Sequence, residues 1–393
     1  MSSRIPEVAS PAVALLLSTD VFEEFYGRGL GLTREAFVET YRNDWSWEYA
    51  YALRDQGVRA TIYIPSERGS AVMATPEGVG IRFVGTGVVD APWRRVRSLR
   101  RTPPGRYVHQ VANALSILPE LRRGFREDRI TTMMVQEYWT GRWDVLSGLR
   151  LPVIGIDQGM PDRHELKTFK RRTLPRARAI VVQTSAEADK VRRHGGHPTR
   201  IPNGVDVGRY APAPATAAGP GKEIVIVARL LDVQKRISDL IHALARLDAG
   251  WSLRILGSGP DEQMLRELAR EAGVADRCRF DGFVMDRSVI VEAMRSAAVF
   301  ALPSAYEGLP MSLLEAMACG CSVVGSDIPA IAEVVEHDRT GLIVGVGDVG
   351  ALAEAIVEAH ARRAELGAAA RAAAVATYSR ESCGRRLAEL VVN

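Results

Sequence analysis

Short apolar runs recur along this chain between longer amphipathic or alanine-rich stretches, and that alternation predicts its elements. Runs at 13–18, 58–64, 81–84, 132–136, 153–156 and 179–182 read as strands in the first half. Runs at 223–228, 252–256, 279–280, 297–302, 321–325 and 341–344 read the same way in the second. Pro65 is expected to stop the second strand, and 101–105, with two prolines and a glycine, to form a loop. Helices fill most gaps, among them 45–56, 351–374 and 379–391. Alternating strand and helix predicts an α/β chain with parallel sheets covered on both faces. A length of 393 residues suits two domains. Asn203-Gly204 is a turn dipeptide and 211–221 is a Pro/Ala/Gly-rich linker, so the expected division is 1–203, 204–375 and a terminal segment 376–393.

One stretch, 304–320, concentrates the chemistry. It lies between two strand-like runs, with Pro310 where the first helical position is expected and Gly320 where the helix is expected to stop. That makes a strand–loop–helix–strand unit with Glu307 in the loop and Glu315 in the second helical turn. In an open parallel sheet such a loop lies beyond the carboxyl end of its strand, where ligands bind. The helix N-terminus suits an anion such as a phosphate. Two carboxylates there would repel the anion unless they face neutral hydroxyl donors, which a nucleotide sugar carries on both sides of its diphosphate. Gly257-Ser258-Gly259-Pro260 invites a dinucleotide reading, but it lacks the third glycine, and Pro260 opens the next helix differently.

Glu307 and Glu315, set in Glu-Gly-Leu-Pro…Glu-Ala-Met-Ala-Cys-Gly, resemble the E-x7-E signature of retaining family-4 glycosyltransferases of the GT-B fold. The resemblance is nearly continuous over 203–348 and covers the first domain only in its strand pattern. It implies two Rossmann-like, doubly wound parallel-sheet domains facing a central cleft, with the donor mainly on the second and the acceptor on the first. Pro202 to Asp206 is similar to the family's hinge, and Arg229…Lys235 to its Gly-Arg-Leu…Lys-Gly segment, with Ala228 and Arg236 replacing the two glycines. By resemblance Arg229 and Lys235 hold the donor diphosphate; a fork donor plus a point cation can neutralise it without Mg²⁺. Glu315 would hold the ribose, Glu307 the transferred sugar, and Gly308, Leu309 and Pro310 would lie against sugar and phosphate. Gly257 and Val284 complete the implied donor set, the turn 281–284 lying along the base. The family transfers with retention, the departing phosphate oxygen taking the acceptor proton, so the protein acts by positioning and electrostatic stabilisation. The terminal helix is expected to cross back to the first domain.

The first domain departs from the family's pattern. Gly27, Gly29 and Gly31 are separated where relatives place a glycine pair, and 32–43 intervenes before the helix as a lid or a longer helix start. Glu137 and Gln158 stand at strand ends where relatives commonly carry histidines, beside Tyr138 and Asp157. Gly29, Gly31, Glu137, Tyr138, Asp157 and Gln158 are therefore the expected acceptor side, with Glu137 as an orienting group or base. The alternative is that these are ordinary polar residues at strand ends.

Composition narrows the rest. Hydrophobic residues make up 47% and charged residues 25%, ordinary for a globular chain. Four cysteines without zinc-like spacing, and an opening apolar run too short for a signal core or membrane span, point to a reduced, cytoplasmic protein. Residues 1–203 carry 31 Lys and Arg against 22 Asp and Glu; the remainder carries 20 against 25. The excess, at 93–101 and 167–178, suits peripheral contact with anionic lipid or an acidic acceptor, and equally a solvated surface. No nucleic-acid motif accompanies it. No acidic metal-ligand cluster is present, so neither metal nor cofactor is expected beyond the nucleotide-sugar co-substrate. Trp45, Trp47, Trp93, Trp139 and Trp143 lie in the first half and suit stacking on sugar or polyketide rings, or burial in a core. The expected acceptor is a small natural product or glycoside, as in secondary metabolism; the expected donor is a UDP-sugar ahead of a GDP-sugar. The rivals are a nucleotide-sugar epimerase of the same architecture and a non-catalytic nucleotide-sugar-binding protein.

Overall fold

The apolar runs form two separate sheets. The computed structural model describes residues 11–17, 21–41, 45–87, 102–156, 169–213 and 221–392. They group into two units, Met1–Pro202 with Cys383–Asn393, and Asn203–Ser382. The basic run 93–101 and most of the linker lie outside the described residues.

The first unit holds β1 (Ala12–Leu16), β2 (Arg59–Ser66), β3 (Ala71–Ala74), β4 (Gly80–Gly85), β5 (Thr132–Gln136), β6 (Val153–Ile156), β7 (Ala179–Val182) and β8 (Pro198–Arg200). Their order is β3-β4-β2-β1-β5-β6-β7-β8, with only β3 antiparallel. Central β1 pairs Leu15 with Ile62 on one side and Met134 on the other, and all three are buried. β1 is apolar throughout, as a strand covered on both faces must be. Pro65 does not stop β2, which continues to Ser66 with Pro65 opposite Val84. The Tyr63 carbonyl accepts from Leu17 N, and Pro65, two residues on, shares that bonding side. Its missing N–H thus faces the side where β1 has already ended.

Of the expected loop at 101–105, residues 102–105 form a helix start. The Thr102 hydroxyl accepts from Gly105 N at 3.3 Å, and Pro103 and Pro104 open the helix Pro103–Glu127. Prolines fit that first turn because its N–H groups have no intrahelical partner. The glycine-spaced segment is also helical, with a π-helical stretch Glu23–Gly29. Within 32–43 there is a separate helix, Arg34–Glu39, capped by the Thr33 hydroxyl. Its Phe37 packs 4.7 Å from Tyr26, 5.4 Å from Phe22 and 5.3 Å from Trp47, ring centroid to centroid. Phe37 and Val38 of this helix are therefore part of the core. Cys383, Leu387, Ala388 and Val391 of the last helix, Arg380–Val392, are buried in the same core. A Cβ on Gly384 would come within 2.6 Å of the Ala52 carbonyl oxygen, so only glycine allows that approach.

The second unit holds β9 (Glu223–Val227), β10 (Ser252–Leu256), β11 (Cys278–Gly282), β12 (Val299–Leu302), β13 (Val323–Ser326) and β14 (Leu342–Val344). All pairs are parallel, in the order β11-β10-β9-β12-β13-β14. The order runs outward in both directions from β9 and β12, so the switch point, where a crevice opens beyond the strand ends, lies between them. Ile224, Ile226, Phe300, Leu302, Leu313 and Leu314 are fully buried around it, each stabilising by roughly 1.5–3 kcal/mol. Arg371 ties three carbonyls together: Val207 at 3.0 Å, Tyr210 at 2.7 Å and Ala318 at 2.6 Å. No described helix is long and apolar enough to cross a membrane.

A charged cluster secures the first sheet. Arg82 on β4 donates to Asp128 from Nε at 2.9 Å and Nη2 at 2.6 Å, and the Tyr63 hydroxyl donates to the same carboxylate. Burial alone would raise the pKa of Asp128, but the bonds from Arg82 and Tyr63 outweigh it and hold the carboxyl below its usual range. A depressed folded-state pKa contributes stability above the unfolded-state value that is lost as pH falls through the folded-state one. Asp128→Asn is therefore expected to cost about 2 kcal/mol at neutral pH, the scale of charge-assisted bonds. The gap from wild type should narrow as pH drops below about 4. Urea unfolding at pH 7 and at pH 3 measures both; equal stability at pH 7 contradicts the assignment.

Candidate functional site

Beyond β12 the chain turns into the helix Met311–Ala318. Pro310 is its N-cap rather than its first helical residue, and no side chain caps that end. Gly320 lies past the C-cap at φ +75°. Gly320 N bonds the Met317 carbonyl at 2.9 Å, and Cys321 N that of Ala316 at 3.0 Å. These are the two bonds of a Schellman stop, which needs a left-handed residue there. The helix thus ends firmly, while its N-terminus presents N–H groups and a positive dipole end at the switch point.

Glu307 is not left as a bare charge. Its Oε1 contacts Lys235 Nζ in an ion pair and accepts from the Ser304 hydroxyl at 2.7 Å. The Glu307 side chain is 6% exposed and that of Lys235 14%, so water screens the pair little. Lys235 closes the helical turn Asp232–Lys235 beyond β9. The Asp232 carboxylate accepts from Ser238 N at 2.8 Å and its hydroxyl at 2.7 Å, while Asp232 N donates to Asp261 at 2.7 Å. The next residue, Arg236, has left-handed backbone at φ +48° and a bidentate pair with Asp239. Turn and loop are stitched together: Ala305 N donates to the Gln234 carbonyl at 2.8 Å, and Gln234 Nε2 to the Tyr306 carbonyl at 3.3 Å.

Glu315 has its own cation. Arg287, first residue of the helix Arg287–Ser296, places Nη1 3.3 Å from Glu315 Oε1 and 3.3 Å from the Tyr210 hydroxyl. The Glu315 side chain is 8% exposed. Burial first, then the negative charge of Glu315, push the Tyr210 hydroxyl's pKa far above its ordinary value, so it stays protonated.

The other expected donor residues differ in their surroundings. Arg229 is exposed and has no ion-pair partner among the described residues, so its guanidinium is available to an anion. A Cβ on Gly257 would lie 1.8 Å from the Ala228 carbonyl oxygen, and one on Gly259 2.2 Å from that of Leu230. Gly257 N donates to the Gly282 carbonyl. Close packing of strand-end loops accounts for both glycines, and the Gly257 amide is already engaged. Leu309 and Pro310 are buried, and Gly308 remains partly accessible. Val284 is half-buried between exposed Phe283 and Met285.

In the first unit, Glu137 follows β5 with a left-handed backbone at φ +55°. Its N–H donates to the Ile156 carbonyl, and its own carbonyl accepts from Thr140. Such strain in a non-glycine residue costs of order 1–3 kcal/mol and tends to cluster at functional positions. Tyr138, expected on the acceptor side, is instead fully buried, its hydroxyl donating to Glu187 at 2.5 Å. Trp47, Trp139 and Trp143 are also buried, which makes them core rather than stacking surface. Gly29 and Gly31 are exposed, Gly31 at φ +70°. Asp157 and Gln158 lie outside the described residues. Sequence reasoning assigned no role to Ser304, Gln234, Tyr210 or Arg287. Arg287 lies 28 residues before Glu315 in no motif, and only the fold joins them.

The glycosyltransferase models agree with this layout. One described as Glycosyltransferase Family 4 matches residues 46–209, and one described as Glycosyl transferases group 1 matches residues 221–362. Over 214 residues the chain is 33% identical to the GDP-mannose-dependent alpha-(1-6)-phosphatidylinositol monomannoside mannosyltransferase of Mycobacterium tuberculosis, covering 49% of this chain and 54% of that one. It is 28% identical over 330 residues to the 2-deoxystreptamine N-acetyl-D-glucosaminyltransferase of Streptomyces fradiae, covering 72% and 75%. The first curated relatives are matched over about half their length, from 39% to 57%. In fold the chain is similar to sucrose-phosphate synthase from Thermosynechococcus elongatus, with a TM-score of 0.71 at 18% identity over 97% of this chain and 98% of that one. Between them the two family models take in most of both units, and the chain belongs to the family-4 glycosyltransferases of the GT-B fold.

Proposed function

We propose that this protein moves a sugar, with retention, from a nucleoside-diphosphate sugar to a hydroxyl of a small-molecule or glycoside acceptor. The observation that carries the reading is the Lys235–Glu307 pair at the switch point, beside an uncapped helix N-terminus. Paired with Lys235, Glu307 can sit next to a diphosphate without repelling it, and its carboxylate accepts hydrogen bonds from the sugar that moves. Lys235, Arg229 and the helix end stabilise charge growing on the departing diphosphate. Glu315 holds the ribose. In this scheme the acceptor proton goes to the departing phosphate oxygen, and no metal is required. Both nucleotide types stay in the proposal, since one relative is named for GDP-mannose dependence. A small acceptor is favoured by the relative named for 2-deoxystreptamine, which is matched over most of its length.

Incubation with UDP- and GDP-sugars and pooled small acceptors, followed by mass spectrometry, should find an acceptor heavier by one sugar. The yield should be unchanged by EDTA; loss restored by Mg²⁺ or Mn²⁺ overturns the metal-free scheme. Isomerisation of a donor supplied alone would favour an epimerase.

The two glutamates should separate kinetically. The ribose is bound throughout the reaction, whereas charge develops at the anomeric carbon only during transfer, so Glu315 serves uniform binding and Glu307 the transition state. Glu307→Gln should lower kcat by about 10²–10³, the scale of one lost electrostatic contact, and barely change calorimetric binding of the nucleoside diphosphate. Glu315→Gln should weaken that binding about tenfold, the equivalent of roughly 1.4 kcal/mol. Equal loss of diphosphate binding in both variants contradicts the two roles.

A further inference from the structure

We infer that Arg287 and Tyr210 are positioning residues that hold the Glu315 carboxylate for the ribose, and so set the preference for ribonucleotide over deoxyribonucleotide donors. The inference rests on the proposed ribose role of Glu315. A glutamate side chain has three rotatable bonds, and freezing them at the moment of binding costs of order 1 kcal/mol or more. Here they are restrained in advance. Arg287 Nη1 lies 3.3 Å from both Glu315 Oε1 and the Tyr210 hydroxyl, so one guanidinium edge bridges the two.

Each partner is anchored from behind. Arg287 opens a helix whose preceding residue, Asp286, accepts from Ser288 N at 2.8 Å, which sets the helix start. The Tyr210 carbonyl is held by Arg371 at 2.7 Å, and Arg295 Nε donates to the Ala211 carbonyl at 2.7 Å. Arg371 also bonds the Ala318 carbonyl, the last residue of the helix that carries Glu315. The tyrosine and the glutamate helix therefore share one rigid anchor. An ionised carboxylate offers about four acceptor sites, so the bond from Arg287 leaves it able to accept ribose hydroxyls. The arginine also neutralises Glu315, which otherwise stands as a second negative charge beside the diphosphate.

The charge effect and the positioning effect are separable. Loss of neutralisation weakens every nucleoside diphosphate alike, whereas loss of positioning weakens only those whose ribose hydroxyls are read. The test is calorimetry with UDP and GDP and their 2′-deoxy and 3′-deoxy analogues on wild type, Arg287→Ala, Arg287→Lys, Tyr210→Phe and Glu315→Gln. Wild type should prefer the ribonucleotide by about tenfold or more, roughly one lost hydrogen bond to a charged group. Arg287→Ala should reduce that ratio to about twofold or less, with lysine restoring part of it. Tyr210→Phe, which keeps the ring and its packing, should give an intermediate ratio. With donor as substrate, the change should fall on KM more than on kcat.

An undiminished ribo-to-deoxy ratio in Arg287→Ala and Tyr210→Phe, alongside a collapsed ratio in Glu315→Gln, overturns the positioning role alone. No discrimination in wild type, or an unchanged ratio in Glu315→Gln, overturns the ribose role of Glu315 and this inference with it. If Arg287→Ala does not fold, as thermal unfolding would show, Arg287→Lys and Tyr210→Phe decide by the same ratio.

Discussion

A carboxylate withdrawn from water beside a place shaped for an anion can persist only with a cation in contact, and this requirement appears twice in the second unit. Glu307 is matched by Lys235, and Glu315 by Arg287. Everything nearby keeps those two contacts in register. The Asp232–Ser238–Asp261 bonds fix the turn that carries Lys235, Gln234 ties that turn to the 305–306 backbone, and Arg371 ties the Tyr210 carbonyl to the end of the Glu315 helix. Desolvation would make either charge costly alone. Once paired, the carboxylates remain hydrogen-bond acceptors, and the helix end beside them keeps its positive dipole.

Much of the fold could be read from sequence because buried parallel strands are runs of apolar residues that little else produces. The strands left unread are those lacking that character: β3 is a half-exposed Ala-Val-Met-Ala edge, and β8 is three residues long with a proline and an arginine. Proline reads from sequence as a break in both places, a strand stop at Pro65 and a loop at Pro103, and in both it lies within regular structure. Its effect depends on whether the absent N–H had a partner to lose, which composition does not reveal. Glu307 to Glu315 stood out through the 304–320 motif, and Arg229 and Lys235 through the resembled segment around them. Arg287 and Tyr210 did not, because residues 210, 287 and 315 are far apart in sequence and meet only in the folded second unit. Tyr138 shows the converse error: a strand-end position looked accessible, yet its side chain points inward to Glu187.

Two non-glycine residues beyond strand ends, Arg236 and Glu137, hold a left-handed backbone. Arg236 stands where the resembled segment has a glycine, and the chain takes a left-handed turn at that residue, held by the bidentate grip on Asp239. The turn that carries Lys235 therefore ends in a local strain that a glycine at 236 would not incur. Glu137 shares the left-handed conformation at the end of β5, where the resemblance implies a histidine.

The first unit is discontinuous in sequence, since Cys383, Leu387, Ala388 and Val391 fill its core from beyond the end of the second. During synthesis the ribosome delivers all of the second unit before that last helix emerges. The early sheet therefore waits with part of its apolar surface open to solvent, while the later unit can complete its core first. Chains usually fold from the N-terminus onward; here the half made first is the half finished last. A lesion in the final helix would be felt some 180 residues upstream, the length of the interposed second unit.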